Sequence, residues 1–113
     1  MRFFLFVSLA FATALNAQIP VSCPVWDEAF EYHAPADWLV KPIAQKAEIY
    51  RSADGKDVIL YNGLLKRVFR VAPGVACTDF KNLANGQQLL RALSPEALLT
   101  VDGKVRPVGG LKG

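Results

Sequence analysis

The stretch from Asn62 to Leu83 limits what this chain can fold into more than any other. Asn62-Gly63 is a turn signal that opens a run of branched and aromatic residues. The Pro73-Gly74 pair breaks that run, and a second β-prone run follows to Phe80 before Asn82. Two such runs about one turn predict an antiparallel hairpin. An isolated hairpin is marginal in water, so other strands have to cover and extend it. Alternation along the first run puts Leu65, Phe69 and Val71 on one face with Arg67. Leu64, Val68 and Ala72 share the other face with Lys66 and Arg70. Apolar side chains on both faces predict cover on both, with the long basic stems lying over the outer layer.

Further strands are signalled on either side. Asp54-Gly55 lies between Glu48–Arg51 and Val58–Tyr61, and Asp102-Gly103 lies between Ala97–Thr100 and Val105–Val108. An Asp-Gly pair between apolar runs favours a hairpin because both turn residues accept positive φ. Asn85-Gly86 marks another turn. Residues 87–93 fit a short helical face of Leu89, Leu90 and Leu93 or a strand, and the neighbouring pattern favours the strand. Six or seven short strands, each ended by Gly, Pro or Asn, predict an all-β, mainly antiparallel domain of the β-sandwich kind over residues 47–108.

Residues 18–46 show neither helical nor strand periodicity for long and carry prolines at 20, 24, 35 and 42. The segment reads as an extended, aromatic and acidic stretch laid across the domain, anchored by Trp26, Phe30, Tyr32 and Trp38. Before it, Met1-Arg2 and the apolar run Phe3–Leu15 have the form of a secretory leader over residues 1–17, cut after Ala17 or after Ala14. The run is too short and too often interrupted for a membrane span, which needs about 20 apolar residues. The reading is therefore an exported protein, periplasmic, outer-envelope or extracellular, and not membrane-spanning. Residues 109–113 are a glycine-rich connection, and the chain reads as the beginning of a longer protein.

At 113 residues, 52% hydrophobic and 20% charged, the composition is that of one small folding domain. Loss of Arg2 with the leader takes thirteen basic residues to twelve against ten acidic, too even a balance for a nucleic-acid surface. Cys23 and Cys77 are compatible with one disulfide in an oxidising compartment; the alternative is two unpaired thiols. His33 is the single histidine and lies in the proline-rich segment, so no Ser-His-Asp or Cys-His set is apparent. The spacing of His33, Cys23 and Cys77 matches no usual metal site, and no phosphate loop or cofactor signature is present. Carboxylates near tryptophans can hold sugar rings through stacking and hydrogen bonds to hydroxyls, which makes Trp26, Trp38 and Asp37 candidate carbohydrate contacts. The competing reading is a solvated acidic edge with its aromatics packed inward.

Taken together, the run Tyr50–Lys56, Asn62–Leu65 with Arg67, Phe69-Arg70 and Pro73, then Asn82-Leu83, Leu89–Ala92, Pro95–Ala97, Asp102–Lys104 and Val108–Leu111 resembles the start of large secreted bacterial glycoside hydrolases of the α-galactosidase (melibiase) type. The resemblance implies an N-terminal β-sandwich in front of a catalytic barrel, in an exported enzyme acting on plant or host polysaccharide. The catalytic aspartates of such enzymes lie in the barrel, so it implies no catalytic residue here, and the partner is the chain's own downstream catalytic domain. Two other readings stand beside it: a free-standing carbohydrate-binding module, and a structural or adhesive envelope module without ligand.

Overall fold

The structure, a computed structural model, describes residues 18–31 and 37–110. The leader assigned to residues 1–17, the His33 segment and the last three residues lie outside the described residues. Among the described residues there are seven strands: β1 (Glu48–Arg51), β2 (Asp57–Tyr61), β3 (Leu65–Arg70), β4 (Ala76–Asn82), β5 (Gln87–Gln88), β6 (Ala97–Val101) and β7 (Lys104–Val108). They make an antiparallel five-stranded sheet in the order β1-β2-β3-β4-β5 and a separate β6-β7 hairpin. The chain is thus all-β and antiparallel, in agreement with the turn pattern, and its two sheets are consistent with part of a β-sandwich.

Each turn has its own chemistry. Asp102 and Gly103 sit at φ of 51° and 72°, the two-residue turn that an Asp-Gly pair predicts. Asp54-Gly55 instead lies in a longer loop. The Ser52 hydroxyl donates to Asp54 (2.5 Å) and accepts the amides of Lys56 and Asp57 (3.2 and 2.9 Å), so side chains satisfy what a tighter turn would have paired. The Asp54 carboxyl is held below the usual carboxylate range by the Ser52 hydroxyl and the Lys56 amide. Between β2 and β3, Asn62 accepts from the amides of Leu64 and Leu65 at 3.0 and 2.8 Å. Gly63 follows at φ +84°, and a Cβ there would meet the Gln45 Cβ at 2.8 Å. Strain and clash act together at that point, so Gly63→Ala should lower stability by about 1–2 kcal/mol, read as a lower urea midpoint with unchanged slope.

Between β3 and β4 the register slips by one residue after Val68, which faces Asp79 while Phe69 faces Cys77. The strand reading of residues 87–93 needs correction: only Gln87 and Gln88 pair with β4. One further backbone bond, from the Leu89 amide to the Phe80 carbonyl (2.6 Å), follows them, but the Gln88 carboxamide oxygen accepts the amides of both Phe80 and Leu90, each at 3.0 Å, so a side chain takes the next rung and the strand ends.

The core lies on one face of the five-stranded sheet. Tyr50, Ile59, Tyr61 and Leu83 are buried, and Trp26 and Val68 pack against them. The cover is the N-terminal segment. Val25 bridges Arg51 in parallel, the Trp26 amide donates to the Arg51 carbonyl (2.8 Å), and the Arg51 amide donates to that of Pro24 (2.9 Å). Trp26 then meets Phe30, Tyr50 and Tyr61 edge-on at centroid separations of 5.9, 5.2 and 5.1 Å. A single 3-10 turn, Glu28–Phe30, capped by Asp27, lets the Tyr61 hydroxyl donate to the Phe30 carbonyl at 2.7 Å. Of the cover predicted on both faces, the described residues supply it on this one. On the opposite face Ile49, Leu60 and Leu65 remain 53%, 39% and 37% exposed.

Candidate functional site

The open face is built from residues that alternate with the core. Because successive strand side chains point to opposite sides, burial of Tyr50, Ile59, Tyr61 and Val68 leaves Ile49, Leu60, Leu65, Arg67 and Phe69 on the other. Cross-strand pairing adds Phe80 and Cys77 opposite Arg67 and Phe69. A shallow groove of about 480 Å³ runs over Ile49, Leu60, Leu65, Arg67 and Phe80. Glu48 and Arg67 are its charged residues, and the Arg67 guanidinium is fixed 4.7 Å from the Phe69 ring centroid and 5.1 Å from that of Phe80. Its Nε donates to the Cys77 sulfur at 3.4 Å, and a terminal nitrogen donates to Glu96 at 2.5 Å. The Cys77 contact and the Glu96 carboxylate raise the Arg67 pKa against the opposing effect of burial, so this cation persists at every working pH.

The covered face carries a charged seam beneath the tryptophan. Lys66 is 9% exposed and is the buried charged residue among those described. Its ammonium donates to Glu31 at 2.6 Å, lies 4.0 Å from Glu28 and sits 5.4 Å from the Trp26 ring centroid. Lys81 donates to the second Glu31 oxygen at 3.2 Å. Burial alone would raise the Glu31 carboxyl, but the hydrogen bonds and charges of the two lysines outweigh it and hold it below the ordinary range. Tyr50 donates to Glu48 at 2.5 Å, and that hydrogen bond together with burial pushes its phenol up to about 12. Beside the seam, Trp26, Glu28, Ser52, Asp57, Lys66 and Asp79 border a concavity of about 380 Å³. Two of its carboxylates are engaged, Asp57 by Arg70 and Asp79 by the Gln88 amide, while Glu28 is 80% exposed. Among the described residues no group of three or more His, Cys, Asp or Glu is placed to hold a metal ion.

The residues singled out from the sequence fall in different places. Trp26 is half-buried in the aromatic cluster, whereas Trp38 is 47% exposed and makes no ring contact among the described residues. Asp37 is exposed, and its carboxylate accepts the Leu39 amide at 2.9 Å, closing a local turn. The two tryptophans therefore do not form a joint platform through any described ring contact. Of the two readings for the cysteines, the structure has the unpaired thiols: Cys23 is half-buried and Cys77 is buried. They lie on different sides of the sheet's architecture, Cys23 in the covering segment with its carbonyl accepting from Arg51 and Cys77 on the open face under Arg67. The basic stems also divide. Arg67 lies over aromatic rings as anticipated, but Lys66 turns inward, and the signal that was missed is its carboxylate partner Glu31 some thirty-five positions away. No protein-family model, curated protein or solved structure matches the chain. No helix among the described residues is long and apolar enough to cross a membrane.

Proposed function

We propose that this chain is a non-catalytic β-domain of an exported glycoside hydrolase acting on plant or host polysaccharide, and that it packs against the enzyme's catalytic domain through the open face of its five-stranded sheet. The observation that carries the reading is that face: Ile49, Leu60 and Leu65, exposed and contiguous around the ring-stacked Arg67, where the opposite face carries the N-terminal segment. An apolar sheet face rimmed by a fixed charge is what a domain interface looks like before its partner is in place. The resemblance to α-galactosidase-like enzymes supplies the identity of that partner.

Two measurements test it. The coding sequence beyond the Gly113 codon should run on into a domain with carboxylates at the ends of barrel-like strands, and an immediate stop codon would overturn the proposal. The chain alone should also bind a hydrophobic fluorescent dye through this face. A Leu60→Lys, Leu65→Lys double variant should lose most of that dye signal while its stability changes by less than about 1 kcal/mol, because both side chains are already partly in water. A dye signal unchanged in the double variant would mean the open face is not the apolar surface that matters.

A second reading rests on the exposure of Trp38 beside Asp37, an indole free to stack on a sugar ring. If the chain binds polysaccharide, Trp38→Ala should cut retention on an insoluble polysaccharide column at least about tenfold, the worth of a single aromatic anchor. Equal retention of the variant and the parent would eliminate Trp38 as a contact.

A further inference from the structure

The β6-β7 hairpin holds a second surface, separate from the open face and independent of the hydrolase reading. All ten of its residues are exposed, with Leu98 at 66%, Leu99 at 53% and Val105 at 62%. A lone two-stranded hairpin is marginal in water, so this one is short of strands. Which edge can accept one follows from its turn. In a two-residue hairpin the residues flanking the turn form a hydrogen-bonded pair, and pairing alternates from there. Val101 with Lys104, Leu99 with Arg106 and Ala97 with Val108 therefore bond inward, and the backbone groups of Leu98, Thr100, Val105 and Pro107 point outward.

The two outward edges are not alike. On β7 the outward position at 107 is a proline with no N–H to donate, and Lys104 and Arg106 add like charge, both devices that keep an edge from pairing. On β6, Ala97-Leu98-Leu99-Thr100-Val101 carries no charge and no proline, and its outward N–H and C=O groups at Leu98 and Thr100 have no partner among the described residues. The space between the hairpin and the β3-β4 turn is bordered by Pro107 of β7 and by no residue of β6.

We propose that β6 pairs antiparallel with β6 of a second copy of this chain, about a two-fold axis through Leu99. In that register Leu98 faces Thr100 of the other copy and the two exchange both N–H···O bonds, while the two Leu99 side chains meet at the close, non-hydrogen-bonded position. Ala97 faces Val101, so no charge meets a like charge. The product is a four-stranded sheet of order β7-β6-β6-β7, whose outer edges are the two proline-bearing strands. The contact is isologous and closes at two copies.

Sedimentation of the full chain over a range of concentrations tests this. The parent should show a monomer–dimer equilibrium. Leu99→Lys sets two ammonium groups opposite each other, and Thr100→Pro removes an outward donor while sparing the inward bonds; each should weaken the dimer at least tenfold with the melting transition of the monomer retained. An equimolar mixture of Leu99→Lys and Leu99→Glu should restore the dimer, since opposite charges then face each other at the axis. A parent that stays monomeric at its highest soluble concentration overturns the proposal. So does a dimer that survives both substitutions, or a Lys/Glu mixture that fails to re-associate.

Discussion

Trp26→Ala should unfold the five-stranded sheet. The indole closes the aromatic cluster of Phe30, Tyr50 and Tyr61 and is the residue by which the N-terminal segment covers Ile59 and Val68. Removing a ring of this size from a packed site costs about 3–5 kcal/mol. A small domain has only about 5–15 kcal/mol to lose, and the buried apolar set among the described residues is short: Tyr50, Ile59, Tyr61, Ala76, Cys77 and Leu83. Loss of strand signal by circular dichroism and of dispersed methyl resonances is the expected result, with partial recovery in Trp26→Phe. A variant that melts with the parent would show that the segment is not the cover. The prediction also bears on sugar binding. Lost retention in a Trp26 variant reports unfolding, so only Trp38 can be used to test a carbohydrate contact.

Glu31→Gln should cost about 3 kcal/mol, because it leaves the Lys66 ammonium in place with its close partner gone. Lys66 and Glu31 side chains are only 11% and 10% exposed, and Glu28, at 4.0 Å and 80% exposed, is too distant and too hydrated to substitute. Replacing both members, Glu31→Leu with Lys66→Met, should recover most of the loss, since an apolar pair of similar volume needs no partner. The pH dependence follows from the same contacts. Glu31 titrates below its unfolded value of 4.5 in the folded chain. Its contribution is therefore complete above about pH 4.5 and is lost as pH falls through the lower folded value. The parent's urea midpoint should drop through that window, and the midpoint of Glu31→Gln should be flatter there. Equal acid slopes in the two proteins would remove Glu31 from the account.

The strands were legible because local chemistry decides them. The Asp102-Gly103 turn, the Asn62-Gly63 turn and the break at Pro73-Gly74 each act within a few residues, and all three fall between strands that pair as neighbours in sequence. Residues 87–93 were misread for the same reason in reverse, since a strand pattern carries no sign that the Gln88 side chain will occupy the ladder. The seam was hidden by distance. Lys66 on a strand with apolar neighbours looks like any snorkelling lysine until Glu31, supplied by a segment with no periodicity, arrives on top of it. The difference between the two sheet faces was hidden too, because alternation reports that both are apolar and says nothing of which one the N-terminal segment will choose.

That choice sets a limit on how the amino terminus can be processed. Among the described residues ahead of Pro24, little holds the sheet beyond the Cys23 carbonyl, which accepts from Arg51 at 3.0 Å, and Val21 is 86% exposed. From Pro24 onward every residue to Glu31 either bonds to β1, joins the aromatic cluster, shapes the turn or meets Lys66. A protease trimming the chain back as far as Val21 would leave the described fold untouched. The same protease cutting a few residues later would strip the lid from Tyr50 and Tyr61 and convert a folded domain into an apolar, aggregating strand ladder, so the tolerance of the amino terminus to cleavage ends sharply at Pro24.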